Sequence, residues 1–82
     1  MKTAPSHGSL LRDRRKSLGM TQAEVGRAVG VEQQTISRYE SGALVPLTKW
    51  GVLSRALRFD TATQARFVEL HTAAAISQAA AA

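Results

Sequence analysis

The sequence contains no cysteine, which excludes disulfides and thiolate metal sites. Only two histidines are present, and His7 and His71 are each too isolated from other ligand residues in the sequence to suggest a zinc site. No apolar run approaches the roughly 20 residues of a membrane-spanning helix. There is no Ser–His–acid set, no paired carboxylates in a cleft pattern and no glycine-rich phosphate loop. The sequence therefore predicts neither an enzyme nor a cofactor or metal site.

Acidic residues are also scarce. Eleven Lys and Arg stand against six Asp and Glu, which gives a net charge of +5 over 82 residues. A basic balance favours a polyanionic partner, and nucleic acid is the commonest soluble one. The length is enough for one small domain with a compact core.

The most informative stretch is TQAEVGRAVGVEQQTISRYESG, residues 21 to 42. Thr21 precedes Glu24 by three residues, which is the spacing of a capping box at the start of a helix. Gly30 is a natural helix stop, and a second helix is predicted from about residue 32 to about residue 41. Two short helices joined by a tight turn form the motif with which many proteins place the second helix in the major groove of DNA.

One face of this second helix is polar and almost free of acid. At about 100 degrees per residue, Ile36, Tyr39 and Glu40 fall on the opposite face. Gln can pair with adenine and Arg with guanine, so the polar face is suited to contacting base edges. For an isolated helix, an ordinary solvated surface would be the simpler interpretation. The outward residues are Gln33, Gln34, Ser37, Arg38 and Ser41.

The segment from Leu11 to Leu57 resembles the lambda-repressor-like helix-turn-helix domains of phage repressors, Cro proteins and their bacterial relatives of the XRE type. The resemblance implies an all-α fold, a compact five-helix domain with the helix-turn-helix at helices 2 and 3. Gly26 departs from the family, which usually has Ala there, although both are small enough for close helix crossing. The matching elements are Arg15 four residues before Gly19, then Thr21-Gln22, Val25-Gly26, Gly30-Val31, Gln33 to Arg38, Glu40 to Gly42, and Pro46.

The resemblance also implies a function, that of a sequence-specific DNA-binding transcriptional regulator. The expected form is a repressor that binds double-stranded DNA at a two-fold symmetric operator as a homodimer, through helix 3 in the major groove. In the family the Arg at position 15 pairs with the Glu that ends helix 3, so Arg15 and Glu40 are expected to form a partly buried ion pair. The residues expected to contact bases are Gln33, Gln34, Ser37 and Arg38, and those expected to hold phosphates are Thr21, Gln22, Ser41, Gly42 and Lys49.

The other segments predict the scaffold. The first helix should run from Ser9 or Leu10 to Leu18, and the rest of its basic cluster, Arg12, Arg14 and Lys16, should be mostly a solvated face. Trp50 lies at core spacing in a fourth helix. We therefore divide the chain into a flexible tail (1–8), a DNA-binding domain (9–72) and an Ala-rich helix extension or tail (73–82).

A fifth helix should begin at Asp60 or Thr61, with Thr61 and Gln64 as its cap pair. A single His71 on this helix is expected at the surface. Three residues of the fifth helix are assigned either to the core or to dimer contacts, and the sequence does not separate the two roles. They are Phe67, Val68 and Leu70.

Two alternatives stay open. The chain could be a protein-interaction module of the same fold, like an antitoxin or a phage adaptor, that docks a partner through helix 5 with DNA binding secondary. It could also be the DNA-binding part of a longer regulator. The first nine residues lack the apolar core of a signal peptide, and a chain without cysteine suits a reducing cytoplasm, so we expect a cytoplasmic protein. The family resemblance implies a bacterial or phage origin and association with the nucleoid when the protein is bound to DNA.

Overall fold

The computed structural model describes residues 5–81, and within this range the chain forms five helices and no strand. The helices are α1 (His7–Ser17), α2 (Gln22–Val29), α3 (Gln33–Glu40), α4 (Leu47–Ala56) and α5 (Thr61–Ala81). α3 packs against both α1 and α2, and α5 closes against α1. The predicted all-α, five-helix fold is confirmed. None of these helices is long and apolar enough to cross a membrane.

The capping box predicted at the start of α2 is present. The Thr21 hydroxyl oxygen accepts a hydrogen bond from the Glu24 amide at 3.1 Å, and the Glu24 carboxylate accepts one from the Thr21 amide at 2.8 Å. These hydrogen bonds lower the pKa of Glu24, because they favour its charged form. The helix ends at Gly30, whose φ of 80° is the left-handed conformation that glycine adopts without steric cost.

α1 begins at His7, earlier than the predicted Ser9 or Leu10. Ser6 and Ser9 cap the helix reciprocally, each amide donating to the other side chain at 3.0 Å. A Ser at the fourth position is not the Glu or Gln of the usual capping box, so the pattern gave no start signal. His7 and Gly8, assigned above to a flexible tail, are buried in this helix. Residues 1–4 of that tail lie outside the described range.

α5 begins at Thr61 as predicted, but with a different cap. The Asp60 carboxylate accepts a hydrogen bond from the Thr63 amide at 2.7 Å, and its bonding to Thr63 lowers the pKa of Asp60. Gln64 does not pair with Thr61, because its side chain turns to the Ser54 hydroxyl of α4. The helix continues through the Ala-rich segment, which is helical as far as Ala81.

The core lies between all five helices. Trp50 packs on it as predicted, and its indole N–H donates to the Val45 carbonyl at 2.8 Å. Phe67 was left open as either a core residue or a dimer contact. It is only 1% exposed, so it belongs to the core. The fully buried apolar residues are Leu11, Val25, Val29, Ile36, Tyr39, Val45, Leu53, Leu57 and Phe67.

The turn between α2 and α3 passes very close to Gly26. A Cβ atom at this position would lie 2.7 Å from the Val31 carbonyl oxygen, a separation that real Cβ atoms do not show. The expectation that Ala is also small enough at this position is therefore wrong for this chain. The backbone of the turn, which the sequence alone does not position, occupies the space that an Ala side chain needs.

Candidate nucleic-acid interface

α3 presents a polar surface on the side opposite to the core. Ile36 and Tyr39 are buried, whereas Gln33, Gln34 and Arg38 are exposed. Ser37 is half-buried at the edge of this surface, and Ser41 follows α3 as an exposed residue. The side chains predicted to contact bases therefore share one solvent-facing surface on a single helix.

The amino end of α3 lies at the same surface. Its N-cap residue is Glu32, whose side chain is exposed and makes no capping hydrogen bond. The first amides of a helix carry a partial positive charge and attract anions. With no side chain capping them, the first amides of α3 can donate to a bound anion, although the Glu32 carboxylate next to them opposes its approach.

The carboxyl end of α3 is held by an ion pair with α1. The Arg15 Nε donates to Glu40 Oε2 at 2.6 Å and Nη2 donates to Oε1 at 3.0 Å, a bidentate arrangement. The two side chains are 12% and 5% exposed. Hydrogen bonding to Glu40 raises the pKa of Arg15. Arg15 Nη1 also donates to the Met20 carbonyl at 3.0 Å, so the guanidinium joins α1, the α1–α2 turn and α3.

Gln22 joins the same network. Its side-chain amide donates to Glu40 Oε1 at 3.1 Å, which ties the first residue of α2 to the last residue of α3. Beside them lies a polar cleft of about 170 Å³ that opens next to the exposed face of α3. The cleft is lined by Arg12, Arg15, Gln22, Ser37, Glu40 and Ser41.

Arg12 is a candidate that sequence reasoning missed. Its side chain was expected in a solvated charged face, but α1 packs on α3 and brings it to the edge of this cleft. Arg12 lies three positions before Arg15 and therefore on the same face of α1, so its spacing from Arg15 was the signal that could have identified it.

The other residues predicted to hold phosphates differ in which hydrogen-bond donors remain free. The amides of Ser41 and Gly42 already donate to carbonyl groups of α3, at 3.0 Å and 3.2 Å respectively. The Thr21 amide donates to Glu24. Ser41 and Thr21 therefore present hydroxyl groups rather than amides. Lys49 is half-buried in the first turn of α4.

The α3–α4 loop (residues 41–46) is held from the interior by side chains of α1, α4 and α5. His7 Nε2 lies 2.9 Å from the Ala43 carbonyl oxygen, and the Val45 amide donates to His71 Nε2 at 2.8 Å. His71 is 7% exposed, so its expected surface position is wrong. The reason is that His71 lies four residues after the buried Phe67 and shares the core-facing side of α5, where α1 and α5 converge on this loop.

Three comparisons with known proteins bear on this interface. The family described as helix-turn-helix domain matches residues 8–70. The P22 c2 repressor, solved in complex with the synthetic operator 9T in the presence of Tl+, has a similar structure. Its TM-score is 0.65 at 34% sequence identity, covering 70% of this chain and 88% of the repressor chain.

A curated relative, an uncharacterized HTH-type transcriptional regulator of Methanothermobacter thermautotrophicus, is 47% identical over 38 residues. The match covers 46% of this chain and 55% of the relative, so the chain spans about half the length of that protein. The second half of α5, from residue 71 onward, lies beyond the family match.

Proposed function

Because the chain belongs to the helix-turn-helix family of DNA-binding transcription regulators, we propose that it is a sequence-specific repressor that binds a two-fold symmetric operator as a dimer. The observation that carries the proposal is the exposed polar face of α3, on a helix whose carboxyl end is held by the Arg15–Glu40 pair. Repression would follow because a bound dimer blocks access of the polymerase to the promoter. Such a protein acts in the cytoplasm, at the nucleoid.

In this proposal α3 lies in the major groove. Gln33 and Gln34 pair with adenine edges and Arg38 with guanine, while the Ser37 hydroxyl bonds to either kind of base. The phosphate contacts that fix the register come from residues around the polar cleft and from the start of α4. They are Thr21, Gln22, Ser41 and Lys49, to which the cleft geometry adds Arg12. Gly42, predicted together with them, is left out, because its amide is its only donor and already bonds to the Tyr39 carbonyl at 3.2 Å.

We expect Arg38→Ala to weaken binding to the preferred site by about 1–3 kcal/mol and to relax selectivity at one base pair. The reason is that a bidentate contact to guanine discriminates against the other bases. Arg27→Ala is the matched control, since it removes the same charge from an exposed position in the last turn of α2. Binding isotherms on the selected site and on its single-base variants measure both effects. Intact affinity and selectivity in Arg38→Ala would show that the base-contacting face is misassigned.

We expect Lys49→Ala to weaken binding about equally on all sequences and to reduce the salt slope by about one unit. A phosphate contact releases a counterion but carries no base information. Arg55 is the matched control, because it is a cation at the opposite end of the same helix. A slope that Lys49→Ala and Arg55→Ala change equally would assign the effect to net charge rather than to a contact.

Dimeric binding requires two half-sites about one turn of DNA apart, roughly 10 base pairs centre to centre. Phe67 is buried in the core and is not available for a contact between subunits. Val68 and Ile76, eight residues apart on the same face of α5, are 37% and 65% exposed. They are the exposed large apolar residues of α5, and Leu70 is half-buried.

The test is binding selection from a random duplex pool at near-physiological salt, run in parallel with a variant in which Gln33, Gln34 and Arg38 are all changed to Ala. The three side chains are exposed, so their removal should leave the fold intact. Enrichment of a two-fold symmetric motif by the wild type alone is the expected result. A motif without symmetry would exclude the dimer.

Weak, salt-sensitive binding shared by both proteins, with no motif, would overturn the proposed function. The net charge of +5 would then act only as a generic attraction to DNA. The protein-interaction alternative would follow, and α5 would be the surface on which to map a partner.

A further inference from the structure

The α3–α4 loop is held by two buried histidines from opposite ends of the domain. His7 of α1 bonds to the carbonyl of Ala43, and His71 of α5 bonds to the amide of Val45, two residues further along. The centroids of the two rings are 4.9 Å apart. We refer to His7 and His71 as the histidine pair.

These hydrogen bonds show which Nε2 atom donates and which accepts. His7 Nε2 faces a carbonyl oxygen, which only accepts, so this nitrogen must carry a hydrogen. His71 Nε2 receives the Val45 N–H, so this nitrogen must present its lone pair. A proton added to His71 Nε2 would occupy that lone pair and place two N–H groups against each other. The bond to Val45 therefore exists only while His71 is neutral.

Within residues 5–81, the groups that contact the histidine pair carry no opposite charge. α4 contributes the uncharged Trp50 ring, 4.8 Å from His71, and α5 contributes the Phe67 ring. α3 presents backbone carbonyl groups of Tyr39 and Glu40 toward Gly8, and the Glu40 carboxylate is occupied by Arg15 and Gln22. The loop itself contributes only backbone groups. His7 Nδ1 is buried without a hydrogen-bond partner among the described residues.

Burial lowers the pKa of His71, and the neighbouring His7 lowers it further. The folded chain therefore takes up this proton less readily than the unfolded chain, whose histidine titrates at about 6.5. Since the unfolded state binds more protons in this range, stability is full above about pH 6.5 and falls as the pH is lowered toward the pKa of folded His71.

We propose that the histidine pair positions the α3–α4 loop for DNA binding, and that protonation of His71 releases the loop and weakens binding. The loop connects Ser41, at the end of α3, to the helix that carries Lys49, so its conformation sets the spacing between these two phosphate contacts. The effect of His71 protonation on DNA affinity rests on the proposed function, whereas the hydrogen bond between Val45 and neutral His71 is independent of it.

The first test compares DNA affinity from about pH 7.5 to about pH 5 for the wild type and for His71→Gln, whose side-chain oxygen can accept the Val45 N–H without titrating. The dissociation constant of the wild type should rise about tenfold for each pH unit below the pKa of His71. His71→Gln should show a much smaller dependence. Parallel curves for the two proteins would overturn the positioning role, because the shared dependence would then belong to other groups.

The second test uses the wild type without DNA. Nitrogen-15 NMR should find His71 Nε2 unprotonated at neutral pH, and hydrogen exchange should find the Val45 amide protected. As the pH is lowered, this protection should be lost at the same midpoint as the titration of His71. A protonated Nε2 or an unprotected Val45 amide at neutral pH would overturn the assignment.

The two tests also separate the two proposals. If the wild type lacks sequence-specific binding at about pH 7.5, where His71 is expected to be neutral, the proposed function fails, and exchange of the Val45 amide still decides the role of His71 in holding the loop. If His71→Gln does not fold, the measurements on the wild type alone decide whether His71 controls DNA binding. The loss of its affinity must then share the midpoint of the His71 titration, and a different midpoint would overturn the proposal.

Discussion

Glu40→Ala is expected to lower the stability of the domain by about 3–5 kcal/mol, because it leaves the Arg15 guanidinium buried without its carboxylate. Glu40 accepts two hydrogen bonds from Arg15 and one from Gln22, so three donors lose their partner at once. For a domain of this size each kcal/mol corresponds to about 4–8 °C in Tm. Thermal unfolding followed by circular dichroism should show a decrease of more than about 10 °C.

The matched control is Glu69→Ala. Glu69 forms an ion pair with Arg66 on the exposed side of α5, at 3.8 Å and with both side chains more than half exposed. Solvent screens such a pair, which typically contributes only about 0–1 kcal/mol. If Glu40→Ala has the same Tm as Glu69→Ala, the Arg15–Glu40 pair does not hold α1 to α3.

Gly8→Ala is expected to destabilise the domain by about 1–3 kcal/mol or more. A Cβ atom at Gly8 would lie 2.8 Å from the Tyr39 carbonyl oxygen and would also meet that of Glu40. Both groups belong to the backbone of α3, so they can move only if the helix moves. The substitution therefore separates α1 from the carboxyl end of α3.

Gly51→Ala provides the opposite expectation. Gly51 lies within α4, is exposed, and has nothing within 4 Å of where a Cβ would be. Replacing an unconstrained helical glycine by alanine should stabilise the domain by about 0.5–1 kcal/mol. Urea denaturation measures both variants on one scale. If Gly8→Ala stabilised the domain as Gly51→Ala is expected to, α1 would not approach α3 as closely as described.

Features with a local cause were predictable from the sequence. The capping box of Thr21 and Glu24 and the stop at Gly30 depend on residues within one or two turns, and both are present. The polar face of α3 follows from helical periodicity, which places Ile36 and Tyr39 in the core and leaves Gln33 at the surface. Local hydrogen bonding and side-chain period were sufficient for these.

Features that depend on distant packing were not predictable. The Arg14 guanidinium was expected in solvent, yet it donates to the carbonyl groups of Leu57 at 2.9 Å and Arg58 at 3.0 Å. Arg58 has a φ of 53°, a left-handed conformation that is uncommon outside glycine. The carbonyl groups after α4 thus bond to a side chain more than forty positions earlier, and no periodic pattern encodes such a contact.

The network around Glu40 illustrates both situations. Its pairing with Arg15 was expected from a family resemblance, whereas the additional bond from Gln22 was not expected from any pattern. Gln22 was predicted only as a phosphate contact. In the structure its side-chain amide also joins α2 to α3, so a substitution at Gln22 would remove this bond between the helices as well as a proposed phosphate contact.

Because His7 belongs to the first helix and His71 to the last, the contact between their rings can form only after nearly all of the domain has been synthesised. Neighbouring helices such as α2 and α3 make contacts that are close in sequence and can form as soon as both have left the ribosome. The ring of His7 and the Leu11 side chain belong to the first helix, but the Phe67 and His71 rings that complete the core around them belong to the last. A nascent chain that has not yet released α5 therefore still exposes the apolar surface of α1 that Phe67 and His71 cover in the folded domain.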